Sequence, residues 1–142
     1  MTLTSITNAA NAYTDENFEA SKVIFFVNEA ISKINSELKC ELPIFEDVET
    51  DYTALATKWV ISLFIPYACY SIKMNDGSLN EADRYLVTFS ENLLKLVDNK
   101  YSAINEDYRE DDFDEIYQRD LSNGIDFSLF GRTNTNEDEG FE

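Results

Sequence analysis

Between Tyr52 and Met74 apolar side chains recur every three or four residues, at Tyr52, Leu55, Trp59, Leu63, Tyr67, Tyr70 and Met74. Val60, Ile61, Phe64 and Ile65 fill much of what remains of the circumference. A helix that is apolar nearly all round has to be enclosed by other elements, so this segment is expected at the centre of whatever the chain builds. The helix is expected to begin near Thr50-Asp51 and to stop at Asn75-Asp76-Gly77. Pro66 has no amide hydrogen and its ring crowds the preceding turn, which predicts a kink there.

Two further long helices flank it. After Thr14-Asp15, either of which can cap, Phe18, Ile24, Val27, Ile31, Ile34 and Leu38 mark one helical face that runs to about Lys39, ahead of Pro43 and the acidic loop Glu46-Asp47-Val48-Glu49. On the other side, Ser78-Leu79-Asn80-Glu81 has the form of a capping box. It opens a face of Leu86, Phe89, Leu93, Leu96, Lys100 and Ile104, joined by Tyr85, Val97 and Tyr101, that predicts a helix to near Asn105. The connection between these last two helices is short, which makes them antiparallel neighbours. With a shorter helix over residues 4–12, the fold class is all-α: a small antiparallel bundle over residues 1–105. Trp59, Leu63, Tyr67, Tyr70 and Phe89 are its expected core or subunit-packing residues, since aromatic residues at helical spacing without basic partners pack rather than stack on bases.

The charge is distributed unevenly. The chain of 142 residues carries 28 acidic and 11 basic side chains, a formal charge of −17, and 13 of the acidic ones but only 3 of the basic ones follow Asn105. Gripping nucleic acid by its phosphates needs clustered Lys and Arg, and no basic stretch occurs. An acidic surface suits imitation of DNA or the lining of a passage through which DNA slides. Cys40 and Cys69 are too few for a disulfide framework and lack zinc-site spacing, so a reducing compartment is expected. No basic-then-apolar leader is visible, and the longest apolar stretch, residues 59–69, is about half of the ~20 residues a bilayer span requires. The expectation is a soluble product that does not enter a membrane.

Residues 106–142 read as an acidic arm. Phe113, Ile116 and Tyr117 punctuate a potential short helix, Ser122-Asn123-Gly124 signals a turn, and Ile125, Phe127 and Leu129, with Phe130 beside them, predict a short strand over 125–130. An isolated strand cannot bury those side chains by itself. It either folds back on the helices or joins a partner's sheet.

Catalytic chemistry has little to work with. Histidine is absent, which removes the commonest general base and metal ligand and every Ser-His or Cys-His dyad. Cys69 lies on an apolar helix with only Lys73 near it in sequence and reads as a packed thiol. The run Glu106, Asp107, Glu110, Asp111, Asp112, Asp114 and Glu115 reads as a solvated charge run rather than a divalent-cation site. The alternation Asn134, Asn136, Asp138 with Gly140 misplaces the glycine of a calcium loop and lacks its last ligand. With four glycines in the chain no phosphate-cradling loop is formed. No catalytic residue, metal or cofactor is expected.

Certain runs in order along residues 17–99 carry a likeness: Glu29-Ala30-Ile31-Ser32-Lys33-Ile34-Asn35, then Asp51-Tyr52-Thr53-Ala54-Leu55 with Trp59, Ile65-Pro66-Tyr67 with Tyr70-Ser71-Ile72-Lys73, and Asp76-Gly77-Ser78 with Glu81-Ala82-Asp83-Arg84-Tyr85. In these the chain resembles the head-tail connector, or adaptor, family of long-tailed bacteriophages of low-GC Gram-positive hosts. The resemblance implies a structural component of the virion, assembled in the host cytoplasm as a homo-oligomeric ring, usually of twelve copies, beneath the portal protein at one capsid vertex. It implies a channel through which genomic DNA passes without sequence-specific binding, and a platform for the next connector, stopper or tail protein. Family members commonly dock on the portal through the C-terminal segment, which assigns Ile125, Phe127, Leu129 and Phe130 to portal docking. The long acidic arm departs from the family pattern. The rival reading is an acidic DNA mimic that inhibits a host nucleic-acid-binding protein, which gives no role to the apolar strand.

Overall fold

The apolar helix lies where its composition requires, in the middle. In the computed structural model, which describes residues 1–105, α1 (Leu3–Thr14), α2 (Ala20–Leu38), α3 (Thr57–Asn75) and α4 (Leu79–Asp98) form a small all-α bundle, and the single turn α5 (Lys100–Ala103) follows. α3 packs against α1, α2 and α4, most extensively against α4. Val60, Leu63, Phe64, Tyr67, Ala68, Cys69 and Ile72 of α3 are all buried. α3 and α4 run antiparallel: Tyr67 meets Phe89 edge-on at 4.9 Å between ring centres, Lys73 meets Glu81, and Ser62 meets Asn92. The tight reversal between them is made at Gly77, whose φ of +82° is left-handed backbone that glycine adopts without a side-chain clash. The predicted arm, with its strand over 125–130, lies outside the described residues.

Three helix boundaries differ from the sequence expectation. Thr14 and Asp15 do not start α2 but end α1: the Thr14 hydroxyl donates to the Ala10 carbonyl at 2.7 Å, and Asp15 turns left-handed with φ 56°. α2 begins five residues later, after Glu19, so Phe18 belongs to the connection. α3 begins at Thr57 rather than near Thr50, because the residues before it use their backbone groups elsewhere. Asn105 donates its N–H to the Ala54 carbonyl at 2.9 Å, Ala56 donates to Ala103 at 3.2 Å, and Leu55 faces Ile104 in an antiparallel bridge. Tyr52 and Leu55 are buried all the same, Tyr52 between Phe45 and Phe64 with its hydroxyl on the Pro43 carbonyl at 2.7 Å. That bridge also ends α4 early. The helix stops at Asp98, the Asn99 side chain donates to the Lys95 carbonyl, and the chain turns through α5 to bring Ile104 back to Leu55.

The capping box predicted at Ser78 is half realised. Ser78 is the N-cap residue, yet its hydroxyl bonds the Asp76 carboxylate at 3.3 Å and caps no amide. Glu81 is drawn off to Lys73 at 3.2 Å, and Glu16 approaches the same ammonium at 3.6 Å. Lys73 thereby ties the end of α1 and the start of α4 to the last turn of α3.

What the connections lack in secondary structure they recover from asparagine. Asn28 accepts the Phe45 N–H at 2.8 Å and donates to the Phe45 carbonyl at 3.0 Å; Asn35 does the same for Leu42, at 2.8 and 3.0 Å. Two turns apart on α2, these amides hold residues 42–45 along the helix, each in the way that a neighbouring strand would. Asn11 holds Phe18 likewise, at 3.0 and 2.9 Å. The amino end is stitched to the same α2–α3 connection. Thr4 donates its N–H to the Val48 carbonyl at 3.0 Å, Met1 accepts from the Tyr52 N–H at 3.0 Å, and the Met1 ammonium pairs with Asp51.

α3 runs unbroken through Pro66. Proline leaves the Ser62 carbonyl, four residues back, without its usual helical donor. The Asn92 side chain of α4 supplies one, at 2.7 Å. Replacing Asn92 by Leu strands that half-buried carbonyl and is expected to cost about 1–2 kcal/mol in urea unfolding. In a Pro66→Ala background, where the substituted residue brings back a backbone N–H to serve the carbonyl, the cost of Asn92→Leu should shrink. Equal costs in both backgrounds would refute the compensation.

The buried hydroxyl of Thr7 on α1 has no hydrogen-bond partner among the described residues. Thr7→Val keeps the shape and removes the unpaired group, so it should stabilise the bundle by about 1 kcal/mol in the same assay.

Candidate docking surface

Of the residues expected to pack, Trp59, Leu63, Tyr67 and Phe89 are buried within the bundle, and Tyr70 is half-buried with its ring 5.3 Å from that of Tyr67. Lys58 places its ammonium 5.2 Å from the Trp59 ring, closing the outer side of the indole. Burial raises the pKa of the Tyr67 hydroxyl far above its ordinary value, and Glu29 and Tyr70 push in the same direction. Tyr67 therefore stays neutral in the fold. The expected docking residues Ile125, Phe127, Leu129 and Phe130 lie outside the described residues.

No three His, Cys, Asp or Glu side chains converge as a metal site among the described residues, and no described helix is long and apolar enough to cross a membrane. Both cysteines are buried, and they are not joined in a disulfide. The thiol of Cys69 points at the Ala10 carbonyl, 3.9 Å away, and burial pushes its pKa up to about 12 against the lowering pull of Lys73. A thiol held protonated is no nucleophile. Lys73 itself loses some proton affinity to desolvation, but Glu81, Glu16 and Asp76 more than restore it and hold the pKa above the ordinary value.

The molecule's distinctive surface is apolar. On α4, Leu79, Val87 and Leu94 are exposed, Leu94 to 67%, while Phe89 and Leu96 of the same helix are buried. On α2, Phe25 is 71% exposed and sits on the side away from Val23, Val27, Ile31 and Ile34. Between α1, α3 and α4 lies a cleft of about 220 Å³, lined by Tyr13, Ile61, Ile65, Pro66, Cys69, Tyr85 and Thr88. Its floor is the buried Cys69 and Ile65; its rim includes Tyr13, 70% exposed, and Ile61, 46% exposed. The Tyr85 hydroxyl donates to the Tyr13 carbonyl at 3.2 Å and fixes the wall between α1 and α4. Lone exposed apolar residues are ordinary, whereas an apolar rim around a cleft is the kind of surface that contacts between macromolecules use.

Sequence reasoning found the helices but missed Asn11, Asn28, Asn35 and Asn92. Their signal was present: asparagine is a poor helix former, and inside a helix it calls for a partner outside it.

Neutral thiol and phenol burial makes alkaline pH destabilising. The unfolded chain releases the Cys69 proton from its ordinary value of 9.0 upward while the native chain keeps it to about 12, so the native state binds more protons and stability falls as pH rises through this interval. The Lys73 cluster acts in the same direction, since its stabilisation is present below the ordinary lysine value of 10.5 and is lost above the raised one. Urea midpoints measured from pH 8 to pH 11 should therefore decline, and Cys69→Ala should flatten the first part of that decline by up to about 1.4 kcal/mol per pH unit. No family model, curated protein or solved structure matches this chain.

Proposed function

We propose that the chain is a structural assembly subunit, a head-to-tail adaptor of a tailed-phage virion that forms a ring under the portal, extends the DNA channel and joins the capsid vertex to the tail. The observation that carries this reading is a bundle with a closely buried core in which, among the described residues, apolar side chains on α2, α3 and α4 remain exposed. An enzyme concentrates polar groups in a concave site. An assembly subunit spreads apolar contacts over several faces. The resemblance over residues 17–99 supplies the particular assembly.

Acidity fits the same role. Phosphates held tightly would stall DNA in a channel, whereas negative walls repel and centre it. Like charge also opposes self-association, so the free protein is expected to be a monomer or weak oligomer that closes its ring on the portal. The Ile125, Phe127, Leu129 and Phe130 segment is proposed as the anchor there.

Sedimentation at physiological salt, with a tailed-phage portal protein and without it, tests the reading. A ring is expected only with portal; a stable ring alone, or none with portal, would count against it. Truncation after Asn123 should leave helix content and unfolding midpoint unchanged and abolish portal binding. A one-to-one complex with a basic host protein, dissolved by salt, would favour the DNA-mimic alternative instead.

A further inference from the structure

Residues 40–57, which join α2 to α3, carry five acidic side chains and no basic one, whereas the remainder of residues 1–105 is nearly balanced, with ten acidic side chains and eight basic ones. The excess charge of the bundle is therefore concentrated on one connection. That connection also forms a groove of about 330 Å³, between residues 43–47 and residues 50–54. Of its lining, Phe45, Tyr52 and Ala54 are buried, Ile44 is 53% exposed, and Glu46, Asp47 and Asp51 are exposed.

Asp51 already holds the Met1 ammonium, but Glu46 and Asp47 meet no cation among the described residues. Nor do three carboxylates converge there as they would around a metal ion, so the groove suits charge carried on a chain better than a point charge. It is also preformed. Asn28 and Asn35 hold Phe45 and Leu42 to α2, and the Tyr52 hydroxyl, donated to the Pro43 carbonyl at 2.7 Å, ties its two sides together. A partner finds both the apolar lining and the acidic rim in place, with little ordering left to do.

We propose that this groove binds a basic segment of another protein, with the apolar stem of an arginine or lysine against Pro43 and Ile44 and its charged head on Glu46 and Asp47. Charge complementarity decides the class of partner. Nucleic acid and anionic lipid are repelled by such a surface. A second copy of this chain brings the same excess of acid, and its basic residues are scattered singly along the sequence. The inference goes beyond the adaptor reading and stands without it, since it names a surface and a partner chemistry rather than an assembly.

Fluorescence anisotropy of a labelled, end-capped peptide of alternating arginine and valine, titrated with the full chain, tests the proposal. A chain of charge −17 attracts any cation, so the comparison is between variants of equal net charge. Glu46→Gln with Asp47→Asn should weaken binding at least about tenfold. Glu37→Gln with Glu91→Gln, which removes as much charge from exposed sites on α2 and α4, should weaken it less than about twofold. Ile44→Ser leaves the charge alone and should still cost several-fold, as should replacing valine by serine in the peptide. All of these substitutions are at exposed positions, and an unchanged urea midpoint verifies the fold.

Equal losses from the two charge pairs, or none from Ile44→Ser, would reduce the contact to general attraction and overturn the proposal. Absence of binding to the unsubstituted chain would overturn it as well. The adaptor reading is separable: a chain that binds the peptide in this way and forms no ring with portal keeps the groove and removes that reading. A chain that forms the ring and ignores the peptide does the reverse.

Discussion

The fold depends on where the backbone of its connections finds hydrogen bonds. A helical bundle meets its own amide needs inside each helix, but the chain between helices must cross apolar surface with every N–H and C=O still to be paired. Here Asn11, Asn28 and Asn35 each pair both groups of one residue in a connection, at 2.8–3.0 Å. Asn92 serves the one helical carbonyl that Pro66 leaves free. Because residues 42–45 are held to α2 in this way, Leu42 and Phe45 can stay buried and form a wall against which Tyr52 and Phe64 stack. The amides convert what would be solvent loops into part of the core.

That arrangement explains which features were legible in the sequence. Helix existence follows from apolar periodicity, and all three long helices were recognisable because burial is a property of the whole face. Boundaries follow from local competition for backbone groups, which periodicity does not record. Tyr52 and Leu55 continue the spacing of α3 and are buried as that spacing demands, yet they are extended, since Ala54 and Ala56 are claimed by Asn105 and Ala103 about fifty residues away. Thr14 and Asp15 look like an N-cap, but the same short polar side chains end helices too, and only the position of Phe18 under Asn11 decides between the two uses. The serine-glutamate pair of the box failed for a related reason: the Lys73 ammonium competes more strongly for Glu81 than a single backbone amide does.

The candidate surface was less legible than the core. Periodicity marked Leu86, Phe89, Leu93 and Leu96 as one α4 face, whereas Leu79, Val87 and Leu94 belong to an adjoining sector that the other helices do not cover. Sequence alone treats both sectors as apolar. Only the packing of α4 on α3 distinguishes the inward one from the one left over. Phe25 is plainer, since it interrupts the polar side of an otherwise amphipathic helix.

Charge and apolar exposure act against each other in this molecule. Residues 1–105 carry 15 acidic and 8 basic side chains, and residues 106–142 add a larger excess, so two copies of the chain repel one another. Exposed aromatic and aliphatic side chains in a neutral protein of this size would drive indiscriminate aggregation. In a chain of charge −17 the repulsion between copies opposes loose apolar contacts. The acidity thus offsets the tendency of the exposed apolar side chains to associate without selection.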